Sequence, residues 1–153
     1  SLSLSNSGGW FEFEHIRDGK TIGLYKAKNL ITNAGFAGAA SRLNGSGAEA
    51  AFTYLAVGIG TTAAAAGNTT LESEIVDSGL ARAAATASRV TTTQTNDTAQ
   101  LAYTWSVSGT KAVTEAGILN AGAAGVLLAR SVFSAVNVVS GDSLTVTYKV
   151  ACA

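Results

Sequence analysis

Apolar and polar positions alternate from Trp10 to Ile16. Phe11 and Phe13 fall on one side of this run, Glu12 and Glu14 on the other. A period of two predicts a strand with one buried face. Asp18-Gly19 follows, a pair suited to a tight hairpin turn, and Thr21 to Lys28 reads as the returning strand. The period then changes. Phe36, Ala40 and Leu43 recur at spacings of four and three, which predicts a helix over about residues 33–43 with these three on one face. Thr32 or Asn33 can cap its start, and Asn44-Gly45-Ser46-Gly47 ends it.

Beyond the helix the pattern returns to short apolar runs. Ala51 to Ile59 is the most apolar and is expected as a central strand. Gly60 to Thr69 is a loop of small residues, and Thr70 to Asp77 is expected as a short helical turn. Leu80 to Thr93 and Thr98 to Ser108 read as strands joined at Thr95-Asn96-Asp97. Three more strands are predicted at Ala112 to Asn120, Val126 to Val138 and Ser143 to Ala151, with turns at Ala121 to Gly125 and Ser140-Gly141-Asp142. Regularly spaced short strands with one helix predict a mainly β fold, an antiparallel β-sandwich or barrel-like domain. Residues 10–153 form the expected single β-rich domain. Residues 1–9 are rich in Ser, Gly and Asn, with Leu2 and Leu4 the only large apolar side chains. They are expected as a flexible N-terminal arm that lies on a neighbour in an assembly.

Composition narrows the functional classes. The chain has 153 residues, of which 47% are hydrophobic and only 13% charged, against a usual charged share of roughly 25%. Its polar remainder is mostly Ser, Thr, Asn and Gly. A surface of short uncharged side chains is cheap to desolvate, which favours permanent contacts between subunits. Net charge is zero. Lys20, Lys26 and Lys28 are balanced by Glu12, Glu14 and Asp18 nearby, which argues against a nucleic-acid partner. No apolar run is long enough to span a bilayer, and no charged-then-apolar leader opens the chain. Ser1 in a chain without Met suggests removal of an initiator Met in the cytosol. The single cysteine, Cys152, cannot form an internal disulfide.

Candidate chemistry is sparse. The only histidine, His15, lies in line with Phe11 and Phe13, so a partly buried structural histidine is favoured over a catalytic base. No His, Cys, Asp or Glu cluster has the spacing of a zinc or calcium site, and no cofactor is implied. Glu12 and Glu14, two apart on a strand, have a glycosidase-like spacing of about 6.5–7 Å at the backbone. The simpler reading is a solvated face opposite Lys26 or Lys28. Gly58-Ile59-Gly60-Thr61-Thr62 follows a strand like a phosphate loop but lacks the Gly-Lys-Ser/Thr ending. Its glycines are expected to serve positive φ or close packing. The remaining acids and arginines make better sense as structure. Glu72 and Glu74 precede Arg82, and Glu115 precedes Arg130; in so weakly charged a chain these are candidates for specific ion pairs. Glu74 or Glu115 is the expected partner of Arg82.

The order of these motifs carries a resemblance. A hairpin leads to Asn29-Leu30-Ile31-Thr32-Asn33-Ala34-Gly35 and then Tyr54-Leu55-Ala56-Val57-Gly58-Ile59-Gly60-Thr61-Thr62. Leu71-x-x-Glu74 and Arg82 follow, then Glu115-Ala116-Gly117-Ile118-Leu119, Leu128-Ala129-Arg130-Ser131-Val132-Phe133 and Gly141-Asp142-Ser143-Leu144-Thr145-Val146-Thr147-Tyr148. Over roughly residues 20–150 the chain resembles tailed-bacteriophage structural proteins, including small capsid decoration (cement) proteins and domains of tail-fibre or baseplate proteins. The resemblance implies a β-rich virion domain, often trimeric, without enzymatic activity and made in the host cytoplasm. A short and apparently complete chain with an N-terminal arm favours the decoration role. In that role it binds the major capsid protein at capsomer junctions on the capsid surface and stabilises the mature shell. The alternative is a tail-fibre or baseplate attachment domain that binds a glycan. Leu2, Leu4, Trp10, Phe11 and Tyr25 are the interface candidates.

Overall fold

The alternation of Phe and Glu in the first hairpin sets one face of one sheet. In the computed structural model, which describes residues 8–153, strand β1 (Gly9–Arg17) buries Phe11, Phe13 and His15 and turns Trp10, Glu12 and Glu14 outward. Asp18 and Gly19 both have positive φ, as a type I′ turn requires. Strand β2 (Lys20–Lys28) returns along β1 as an exposed sheet edge carrying Ile22, Leu24 and Tyr25. After the two-residue strand β3 (Leu30–Ile31), helix α1 (Asn33–Asn44) begins. Strands β4 (Tyr54–Gly58), β5 (Ala83–Ala84), β6 (Thr86–Val90), β7 (Thr98–Ser106), β8 (Lys111–Leu119), β9 (Leu127–Val138) and β10 (Ser143–Ala151) complete the chain.

The fold is mainly β, with two antiparallel five-stranded sheets ordered β2-β1-β10-β7-β6 and β3-β9-β8-β4-β5. They enclose one core. Phe11, Phe13, Leu101, Trp105, Val146 and Tyr148 come from the first sheet, and Leu55, Val57, Val113, Ile118 and Val136 from the second. The rings of Phe11 and Tyr148 lie 4.7 Å apart, and those of Phe13 and Phe133 lie 4.4 Å apart. Phe11, expected among the interface candidates, is fully buried here. It shares a strand face with Phe13, and that face is the core.

The second sheet is covered on its outer side as well. Residues between β4 and β5 fold back over it, so Leu71 packs on Ala56, Leu119 and Leu127 in a smaller cluster. A register shift between Val113 and Glu115 lets Val113 face the core while Glu115 meets this covering loop.

Three expectations change. Thr70 to Asp77 is not a helical turn. Glu74 bridges Gly58 in extended backbone, and the N–H groups of Glu72 and Ser73 are held by Glu115. Leu80 to Thr93 is not one strand. The chain leaves the second sheet after β5 and joins the first at β6, with Ala85 N–H donating to Thr53 C=O between them. A run of Ala, Thr and Ser carries no side-chain contrast that marks such a switch.

The helix forms where expected but buries the other side. Thr32 Oγ1 accepts from Gly35 N–H at 2.9 Å, and Gly45 closes the helix in the left-handed region. Its buried positions are Gly35, Gly38 and Ser41, whereas Phe36 is 37% and Leu43 74% exposed. The small residues permit close approach, since a Cβ on Gly35 would lie 2.1 Å from the Leu128 carbonyl oxygen. Gly35→Ala is therefore expected to destabilise by about 1–3 kcal/mol through overpacking. This sign opposes the roughly 1 kcal/mol gain of Ala over Gly in a helix. The urea midpoint checks it.

Candidate functional site

The buried Glu115 organises a polar network between the second sheet and its covering loop. Its carboxylate is 0% and the neighbouring Arg130 side chain 2% exposed. Oε1 accepts from Gly60 N–H at 3.1 Å and Ser73 N–H at 2.7 Å; Oε2 accepts from Glu72 N–H at 3.0 Å and Arg130 Nε at 2.8 Å. These bonds use the capacity of an ionised carboxylate, which accepts at about four lone-pair sites. Arg130 continues the network. Its Nη1 donates to Asn68 Oδ1 at 3.1 Å, and its Nη2 lies 3.4 Å from Glu72 Oε2. Glu72 in turn accepts from the Thr62 N–H and hydroxyl. The Thr62 N–H, above all, holds the Glu72 carboxyl below its ordinary value.

A second pair ties the far end of the loop. Arg82 forks onto Glu74, with Nε–Oε2 at 3.0 Å and Nη2–Oε1 at 2.6 Å. Its remaining Nη1 donates to the carbonyls of Ala121 and Ala124, in the β8–β9 connection. The five charged residues singled out from the sequence thus form two linked clasps. Arg82 takes Glu74, and Glu115 belongs to Arg130. Gly58 and Gly60 adopt no positive φ; the Glu115 side chain occupies the space of their absent Cβ atoms, at 2.4 and 2.7 Å from Oε1. Asn68 was not anticipated as an Arg130 partner, because its loop carries no periodic signal.

Glu12, Glu14 and Asp142 are likewise bonded within the fold. Glu12 accepts from Trp10 Nε1 at 3.0 Å and lies 3.4 Å from Lys149 Nζ. The Trp10 bond is the foremost cause that lowers its carboxyl from the ordinary value. Glu14 accepts from Thr21 Oγ1. His15 Nε2 lies 2.7 Å from Asp142 Oδ2, and Asp142 is also gripped by Arg17 through Nε and Nη2, both at 2.9 Å. This cluster was not legible, since Asp142 looked like an ordinary turn residue. No group of three or more metal-ligating side chains occurs among the described residues, and none of their helices is long and apolar enough to cross a membrane.

Of the interface candidates, Trp10 lies half-buried on the outer face of the first sheet, with Lys26 Nζ 4.8 Å from its ring centre. Tyr25 is 45% exposed on β2. Leu2 and Leu4 lie outside the described residues. One surface feature was missed. Phe36 and Leu43, turned away from the core, form one wall of a groove of about 730 Å³; Phe52, Leu101, Tyr148 and Val150 contribute to the rest.

Comparison with protein-family models, curated proteins and solved structures gives no match.

Proposed function

We propose that this protein is a non-enzymatic structural component of a tailed-bacteriophage virion. Its role is that of a capsid decoration protein, binding the mature shell at capsomer junctions against the major capsid protein, as a homotrimer. The observation that carries this reading is the satisfied network around Glu115. The acids, arginines and glycines that recur in the phage-like motif order are consumed in folding one loop onto one sheet, which leaves them as scaffold. The low charge supports subunit contact over phosphate or headgroup binding. Ile22, Leu24 and Tyr25 on the exposed β2 edge, with Trp10 on the strand beside it, supply apolar and aromatic contact surface of the kind that dominates interfaces. Stabilisation follows from mass action: a ligand of the assembled shell alone stabilises that shell by its binding free energy.

Purified protein added to particles that lack it is expected to appear on the capsid lattice and to delay rupture by heat or low salt. Trp10→Ala with Tyr25→Ala is expected to weaken shell binding about tenfold or more while leaving the unfolding midpoint nearly unchanged, because neither side chain belongs to the core. Binding to tails with no effect on shell rupture would support the attachment-domain alternative instead. The groove beside the helix weighs against a glycan in that case, since its walls offer mainly hydrocarbon.

A further inference from the structure

The apolar groove beside the helix has an uncommon relation to the start of the described chain. Gly9 pairs with Val150, whose side chain lines the groove, and the strand ladder begins there. On the other side, Gly9 lies against Asn29, whose Oδ1 accepts from the Tyr148 hydroxyl at 3.3 Å. Tyr148 also lines the groove. The described chain therefore begins beside the groove's rim. Seven residues span up to roughly 23–25 Å, enough to reach from Gly8 across a cavity of this size.

Chemistry matches the two. Ser-Leu-Ser-Leu-Ser-Asn-Ser carries two large apolar side chains and no charge. The groove offers Phe36, Leu43, Phe52 and Val150 as apolar surface, and Arg42 is its one charged lining residue. A polar observation falls at the same entrance. The Asn29 side-chain nitrogen is buried and has no hydrogen-bond partner among the described residues. A buried amide donor without an acceptor is costly, so an acceptor supplied at this entrance would be stabilising.

We propose that in the free protein the chain's own Ser1–Ser7 segment docks in this groove, with Leu2 and Leu4 seated against Phe36, Leu43 and Phe52. This goes beyond the decoration reading and does not depend on it. Short tethering makes the docking intramolecular, at a high effective concentration.

Cys152, the chain's only cysteine, is exposed and lines the same groove, so its alkylation by iodoacetamide reports occupancy. Occupancy of about 90% leaves the thiol free a tenth of the time. Deleting residues 1–7, or replacing Leu2 and Leu4 together by Ser, is then expected to raise the alkylation rate about tenfold. Leu43→Asp, at a solvent-exposed position, is expected to do the same and to add nothing to the deletion. Protection in the intact protein is expected to be independent of protein concentration. An unchanged rate in the Leu2/Leu4 variant overturns the proposal. Protection that falls on dilution also overturns it, in favour of a segment supplied by a second copy.

Discussion

Glu115→Ala is expected to cost about 3–5 kcal/mol of folding stability, as removal of one partner from a buried pair does. Arg130 would remain at 2% exposure, with Glu72 at 3.4 Å as its only acidic neighbour. The N–H groups of Gly60, Glu72 and Ser73 would lose their common acceptor at the same time. At about 2–4 °C per kcal/mol for a domain of this size, Tm should fall by on the order of 10 °C. Glu115→Leu combined with Arg130→Met tests the cause. If the unpaired guanidinium dominates, the double variant regains much of the loss, since a buried ion pair replaced by apolar groups is often near neutral. If the three orphaned N–H groups dominate, it regains little. A loss below about 1 kcal/mol for Glu115→Ala would show that Leu71 packing, the Glu74–Gly58 bridge and the Arg82–Glu74 pair suffice to hold the loop.

Asp142 provides the second large effect and a pH signature. The Arg17 guanidinium, then the hydrogen bonds from His15 and from the Val139 N–H, hold its carboxyl well below the ordinary carboxylate range, against the opposing effect of burial. A depressed folded-state value means that the unfolded chain takes up the proton first. The stabilisation is thus complete above about pH 4, the unfolded carboxylate value, and is lost as pH falls towards the folded value. Wild-type stability should decline steeply below about pH 4. Asp142→Ala should lose about 3 kcal/mol at neutral pH, the lower end for a buried pair because Arg17 is partly exposed and can return to water. It should also show a flatter acid limb. Urea unfolding at a series of pH values checks both; equal acid slopes in the two proteins would remove Asp142 as the cause.

Some of this architecture is written locally and some is not. The hairpin was readable because Asp18-Gly19 supplies two positive-φ positions between alternating strands. The ion pairs were readable because so few charges leave few choices for Arg82 and Arg130. The buried face of the helix was not, because hydrophobic periodicity follows large side chains and here the contact is made by Gly35, Gly38 and Ser41. Phe36, Ala40 and Leu43 mark a true helical stripe that faces the groove rather than the core. His15 and Asp142 meet across 127 positions of sequence, a contact that no spacing rule encodes. The passage from β5 to β6 was hidden because Ala83 to Ser88 offers no contrast between one sheet and the other.

The pairing of β1 with β10 also governs how the protein is made. The β1–β2 hairpin leaves the ribosome well before β10 and cannot complete its sheet until that strand has been translated. At about 5–20 residues per second that wait is on the order of ten seconds. Throughout it, the side of β1 that β10 will cover is an open ladder. The three lysines of β2 on its other side, Lys20, Lys26 and Lys28, discourage neighbouring nascent chains on a polysome from adding to the same edge.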